Sequence, residues 1–405
     1  MAAAGVAGAF AVGRTTVDEA SAQSASARTY DFRGAHQAGI LTPAQDRLHF
    51  AAFDVTTTDR DQLISLLQDW TAAAERMVTG GPAVEVGPVE GDPRLPPDDT
   101  GEAIGLATSG LTITFGFGPG LFRDADGTDR FGLADRQPAA LRTLPHFPAD
   151  MLVPAQSYGD LCVQACADDP QVAVHAVRNL ARIAFGRAAV RWSQLGFGRT
   201  SSTSTTQDTP RNLFGFKDGT ANLKAEEDGA ADEHVWVGAD DDADGAWLAG
   251  GSYLVARRIN MTIEVWDRQP LADQEQFIGR TKGTGAPLSG GDEFSAIDFE
   301  AVTDTEPTIP TDAHIRVVHP DMFGGARMLR RGYNFVDGTD ALGGLNAGLF
   351  FIAYVRDPDT HSIPIQNAMA KNDAMMEYLK VTGSALFAVP AGVAEGEYVG
   401  QALFG

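Results

Sequence analysis

The chain reads as an α+β protein of two ferredoxin-like halves, each a mostly antiparallel sheet with helices on one face. Three observations predict this. A strand–helix–strand block near 161–197 is matched by one near 348–389. Strand-like segments at 48–55 and from Gly251 onward open the two halves. The 405 residues suffice for two packed domains, or for one domain built of two similar halves. The likeness between the halves is one of element order and not of residue identity.

Leu48 to Val55 reads as a strand. Asp59 to Val78 reads as an amphipathic helix with Leu63, Leu66, Leu67 and Trp70 on one face. Residues 80–101, rich in Pro, Gly and acid, form a loop. Leu111 to Phe117 alternates as a strand does, and Leu161 to Ala167 is the next strand. It carries the only two cysteines, Cys162 and Cys166. Four residues of strand separate them by ~13 Å, beyond disulfide reach, so they are expected as core residues. Pro170 opens a helix through Val174, Val177, Leu180, Ala181 and Ala184, and Ala188 to Phe197 returns as a strand. Thr200 to Thr209 is a Ser/Thr stretch expected on the surface between the halves. In the second half Gly251 to Trp266 is strand-like, and Gly348 to Val355 is a strong strand. A helix through Ile365, Met369, Met376 and Leu379 follows, and Ser384 to Val389 closes the sheet. The expected boundaries are a leader-like or disordered segment at 1–35, a first half at 36–199 and a second at 200–405.

Composition narrows the function. Hydrophobic residues make up 43% and charged residues 21%, which indicates a globular protein with a sizeable core. A net charge of -23 repels phosphate backbones and argues against nucleic acid as a partner. It would draw in cationic molecules. No stretch is long and apolar enough to insert in a membrane. Met1 to Gly13 is small and apolar, and Ala25-Ser26-Ala27 looks like a signal-peptidase site. Neither a basic segment nor a twin-arginine pair precedes it. Export to the periplasm or cell exterior is therefore expected, by the twin-arginine route if the leader is incomplete here. The other reading is an Ala-rich cytoplasmic tail.

Three segments carry chemistry. The first is Arg211-Asn-Leu-Phe-Gly-Phe-Lys-Asp-Gly-Thr-Ala-Asn222, where a carboxylate sits between glycines that let the backbone approach a flat ligand. The second, Asp312-Ala-His-Ile-Arg-Val-Val-His-Pro-Asp321, holds His314 and His319 near strand-like residues. The third is Met328-Leu-Arg-Arg-Gly-Tyr-Asn-Phe335. On a strand Arg330 and Arg331 must face opposite sides, one toward a pocket and the other toward solvent. Singly, each has an ordinary reading: an Asp-Gly turn, a partly buried histidine, two surface arginines.

In this order they resemble the dye-decolourising peroxidase family, and closely its exported branch related to periplasmic deferrochelatases. His36-Gln-Ala-Gly-Ile-Leu-Thr-Pro43, Thr114-Phe-Gly-Phe-Gly-Pro119, Gly251-Ser-Tyr-Leu-Val-Ala-Arg-Arg258 and Ile278-Gly-Arg-Thr-Lys282 match further family segments. The likeness covers nearly all the chain past residue 35. It implies one haem b per chain, between the second-half sheet and its helices. It places the signature aspartate at Asp218, the distal arginine at Arg330 and the iron ligand at His314. Gly219, Thr220 and Ala221 would lie along the haem edge, and Arg280 would pair with a propionate. His319, Pro320 and Asp321 would occupy the loop after the proximal ligand, where relatives usually have Asn-Pro. Phe351 would be the bulky residue beside the peroxide.

The implied activity is reduction of hydrogen peroxide with one-electron oxidation of organic dyes or phenolic reductants. Trp192, Trp236, Trp247, Trp266, Tyr253 and Tyr333 are the aromatic candidates for carrying electrons from a surface-bound dye. Release of iron from haem uses the same residues and remains an alternative, as does a non-catalytic haem carrier. A carrier has no need of a distal acid and arginine together. Oligomeric state is left open.

Overall fold

The computed structural model describes residues 28–405, so the leader-like reading of residues 1–27 lies outside the described residues. The first half runs β1 (Arg47–Val55), α1 (Arg60–Val78), β2 (Thr112–Phe117), β3 (Leu161–Ala167), α2 (Pro170–Ile183) and β4 (Ala188–Arg199). The second runs β5 (Ser252–Met261), α3 (Leu271–Ile278), the single turn α4 (His314–Val317), β6 (Leu329–Arg330), β7 (Tyr333–Thr339), β8 (Leu345–Val355), α5 (Ile363–Asn372) and β9 (Leu379–Val389).

Asp59 starts α1 by accepting the Asp61 and Gln62 amides, which satisfies donors that have no helical partner and is worth about 1 kcal/mol. Asp169 does the same for α2 through Gln171, with Pro170 at the first turn. The predicted apolar face of α1 is buried, and Leu63, Leu66, Leu67 and Trp70 are at most 1% exposed. Each such side chain contributes about 1.5–3 kcal/mol.

The strands pair in the order β2-β3-β1-β4 and β7-β8-β5-β9, the same arrangement in each half. Each edge of one half then meets an edge of the other. β4 pairs with β7 and β9 with β2, so the two sheets close into one barrel. Closure removes exposed sheet edges. It also gives three apolar layers. Inside lie Phe50, Cys162, Cys166, Leu254, Tyr333, Phe350, Ile352, Tyr354 and Phe387. Outside, α1 and α2 cover Phe53, Phe115 and Val163. On the far side Phe351 and Ala353 join Phe214, Phe216, Ile259, Trp266 and Tyr378. β8 therefore buries both faces, which is why 348–355 reads as an unbroken apolar run. Both cysteines are buried and free.

Five expectations change in detail. Residues 28–35 are already packed, with Phe32 in the first-half core and Arg33 gripping the Glu75 carboxylate at 2.6 and 2.7 Å. The Gly251–Trp266 strand stops at Met261, and Ile263–Trp266 is a helical turn that buries Trp266. Thr200 to Ser204 are buried instead of exposed, because their polar groups find partners inside: Thr203 Oγ1 donates to Thr42 O at 2.8 Å. The helix expected through Leu379 breaks at Asp373, whose side chain accepts the Met375 amide at 2.9 Å. His314 and His319 sit in helical turns and not beside strand.

Candidate active site

The site draws on the second-half sheet and on the turns around α4 and α5. On the sheet side Arg330 is paired with Ala353 of β8. Residues two apart on a strand share a face, so Arg330, Ala353 and Phe351 look outward together. Arg331 points the other way, into the barrel. It does not reach solvent, as the strand alternation had suggested. It is 0% exposed and donates to Ile40 O at 3.4 Å, Thr42 O at 2.5 Å and the Gln45 side-chain oxygen. The alternation was right and the assumed surface was wrong, because the chain before β1 caps that end of the barrel.

Arg330 Nη1 donates to Asp218 Oδ1 at 2.8 Å. The other oxygen of Asp218 accepts from Asn212 Nδ2 at 3.2 Å, and its amide donates to Pro210 O at 2.9 Å. The turn beyond it needs Gly219: φ is +89°, and a Cβ would lie 2.9 Å from Ser201 Cα. Asn222 was not given a role from sequence. Its side-chain amide acts as a strand neighbour to Arg330. Asn222 Oδ1 accepts the Arg330 amide at 2.7 Å, and Nδ2 donates to Arg330 O at 2.8 Å.

On the helix side, His314 opens α4. Its Nδ1 lies 2.6 Å from Asp373 Oδ2, and the Asp373 side chain has no exposed surface. The two loops are further tied by Ala374 N donating to Asp312 O at 3.0 Å. Burial alone would lower the His314 pKa, but the Asp373 carboxylate outweighs it and the pKa is raised. The charges of Asp218 and Arg330 also act on this imidazole, which places the three in one electrostatic neighbourhood. In the neutral imidazole, Nδ1–H directed at Asp373 leaves the Nε2 lone pair free.

The remaining predicted residues group less tightly. Phe351 is 9% exposed and packs in the outer apolar layer beneath the site. Thr220 Oγ1 donates to Glu293 at 3.2 Å, and Ala221 is exposed. Arg280 is buried, with Nη1 committed to Gly285 O at 2.7 Å and Glu293 O at 2.9 Å. Only its Nε and Nη2 are left for a propionate. His319 Nδ1 accepts the Asp321 amide at 3.4 Å, and its ring meets Phe299 edge-on at 5.1 Å. With Pro320 and Asp321 it forms a short helical turn after α4, separate from the His314–Asp373 pair.

These residues fit a haem. An imidazole oriented by a buried carboxylate suits iron ligation. An acid and a guanidinium share its electrostatic neighbourhood, and Phe351, Leu349 and Met328 belong to the outer apolar layer. No group of three or more His, Cys, Asp or Glu side chains able to hold a bare metal ion occurs among the described residues.

Two family profiles match, described as Dyp-type peroxidase, N-terminal, over residues 37–198, and Dyp-type peroxidase, C-terminal, over residues 209–394. A deferrochelatase of Escherichia coli (strain K12) is 37% identical over 377 residues, 92% of this chain and 86% of that protein. Ferric DtpA from Streptomyces lividans superposes with a TM-score of 0.84 at 40% identity, over 94% of this chain and 99% of that one. A DyP-type peroxidase from Cellulomonas bogoriensis gives a TM-score of 0.81 at 38% identity, over 94% and 99% of the two chains.

Proposed function

The chain belongs to the Dyp-type peroxidase family, an oxidoreductase acting on peroxide with a haem-iron cofactor, and from there we propose that Asp218 and Arg330 activate hydrogen peroxide at a haem b whose iron His314 would hold. The observation that carries this reading is the Asp218–Arg330 pair at 2.8 Å, whose charges act on the His314 imidazole that Asp373 holds.

The work divides by chemistry. Hydrogen peroxide must lose a proton from one oxygen and gain one on the other before water can leave. The Asp218 carboxylate takes the first proton and returns it to the departing oxygen, directly or through a water. The Arg330 guanidinium, held by its main chain to Asn222, stabilises the charge that grows on that oxygen. Asp373 holds the His314 ring in one orientation and makes its Nε2 a stronger donor. A haem held by His314 would supply the redox chemistry, storing the oxidising equivalents of peroxide for release in one-electron steps.

Organic dyes and phenols are the proposed reductants. They are too bulky to reach the iron past Phe351 and would be oxidised at the surface. The protein is proposed to be exported, on the strength of Ala25-Ser26-Ala27 and the acidic composition. N-terminal sequencing of the mature chain from a secreted fraction tests this. No helix among the described residues is long and apolar enough to cross a membrane.

Haem content tests the iron ligand. His314→Ala should purify with little haem, while His319→Ala keeps it, and the reverse would overturn the assignment. A second reading, iron release from haem, is supported by the name of the relatives at 37% identity. Mass spectrometry of the tetrapyrrole after turnover separates the two, because only iron release leaves free protoporphyrin. A haem carrier is disfavoured by the Asp218–Arg330 pair.

A further inference from the structure

Lys217 and Thr220 stand on either side of the Asp218–Gly219 turn, and one buried carboxylate takes both. Glu293 Oε1 accepts Thr220 Oγ1 at 3.2 Å, and Oε2 receives the Lys217 ammonium. Glu293 is 8% exposed. Burial would raise its pKa, but the bonds from Lys217, Thr209 and Thr220 outweigh that and lower it, so the carboxylate stays ionised.

Glu293 is itself anchored. Its carbonyl accepts Arg280 Nη1 at 2.9 Å, and the same nitrogen reaches Gly285 O at 2.7 Å. Gly285 lies against the Lys217 stem, where a Cβ would stand 2.8 Å from Cδ. The 280–293 segment thus forms a cradle for Lys217, with Glu293 as its charged floor.

We propose that Glu293 is a positioning residue for Asp218, clamping the residues before and after the turn so that the distal carboxylate keeps its place against peroxide. The proposal rests on the reading of Asp218 as the distal base. The other ties on Asp218 are its amide to Pro210 and its carboxylate to Asn212 and Arg330. Beyond Gly219, the freest residue of the turn, Asn222 is held by the Arg330 main chain and Ser202 O. Thr220 to Glu293 holds the residue directly after Gly219, and Lys217 to Glu293 fixes the opposite side.

The experiment is a double-mutant cycle on the haem-loaded protein. The rate of the Soret change on mixing with hydrogen peroxide is measured for Glu293→Ala, Asp218→Asn and the double variant. Glu293→Ala should slow the reaction about 10- to 100-fold, the scale of a misplacement near 1 Å. In the Asp218→Asn background it should add almost nothing, and Glu293→Gln, which keeps the Thr220 bond, should recover part of the loss. Equal losses in both backgrounds would overturn the proposal. If Glu293→Ala does not hold haem, Thr220→Val leaves the ion pair intact and enters the same cycle with the same two outcomes. Amide hydrogen exchange reads the clamp without turnover: Glu293→Ala should lose protection over residues 217–221, and unchanged protection also overturns it. If Asp218→Asn alone reacts at the parent rate, the distal-base reading has failed and Glu293 has nothing to position.

Discussion

His314 Nδ1 and Asp373 Oδ2 meet at 2.6 Å across the junction of two helical turns. The carboxylate is sealed from solvent and is also tied to the Met375 amide. It is thus fixed before any ligand arrives, and it directs the imidazole.

The first prediction concerns that couple. Asp373→Asn keeps the shape and removes the negative charge behind the ring. Haem should be bound about 10- to 100-fold more weakly, the usual cost of losing an outer partner of a metal ligand. Titration of haem into the apoprotein measures this, and parent affinity would mean that Asp373 only shapes the turn.

Asn222 supplies the second. Both polar groups of its amide are spent on the Arg330 main chain, at 2.7 and 2.8 Å. Asn222→Ala leaves the Arg330 amide and carbonyl without that partner, beside a position only 2% exposed, at a cost of about 1–3 kcal/mol in denaturant unfolding. The peroxide reaction should slow as well, because Arg330 is no longer held. Lost stability with an unchanged rate would separate Asn222 from the chemistry.

Arg331 is the control for its neighbour. Arg331→Met removes a fully buried cation and strands the carbonyls of Ile40 and Thr42 and the Gln45 side chain. Each stranded acceptor should cost about 1–3 kcal/mol. The protein that folds should still react with peroxide at close to the parent rate. A rate loss as large as that of an Arg330 variant would contradict the division of labour between the two arginines.

Much of this was legible before the structure. The apolar run at 348–355 marked a strong strand, and the adjacent arginines could only point apart. What the residues could not show was where each face leads. Arg331 enters the barrel because residues 37–45 close its end, a long-range fact with no local signal. Asp373 was hidden for a similar reason. The helical pattern through Ile365, Met369 and Met376 runs past it, and only its place opposite His314 explains the break. Thr200 to Ser204 read as surface because hydroxyls are usually exposed, yet the 218–224 segment packs over them and uses Ser202 O as an acceptor.

Burial narrows the aromatic candidates for dye oxidation. Trp236, Trp247, Trp266, Tyr253 and Tyr333 are all at most 7% exposed, and Trp192 alone among the six is part-exposed. Its ring meets Phe350 at 6.0 Å, and Phe350 precedes Phe351 on β8. Trp192→Phe should lower turnover of a bulky dye several-fold and leave the peroxide reaction unchanged, whereas Trp266→Phe should spare both. Equal dye turnover in Trp192→Phe and the parent would remove this route.

The most direct test of the central claim is the rate at which the Soret band changes on mixing the haem-loaded protein with hydrogen peroxide in a stopped-flow cell. General-base catalysis contributes ~100- to 10,000-fold, and Asp218→Asn should lose that much. Arg330→Leu removes charge stabilisation worth ~100- to 1,000-fold. Both variants should keep their haem, because His314 and Asp373 are untouched. Losses of this size in both would show the acid and the guanidinium acting together on peroxide. A parent rate in Asp218→Asn beside a slowed Arg330→Leu would contradict the account and leave Asp218 as a turn residue at the haem edge.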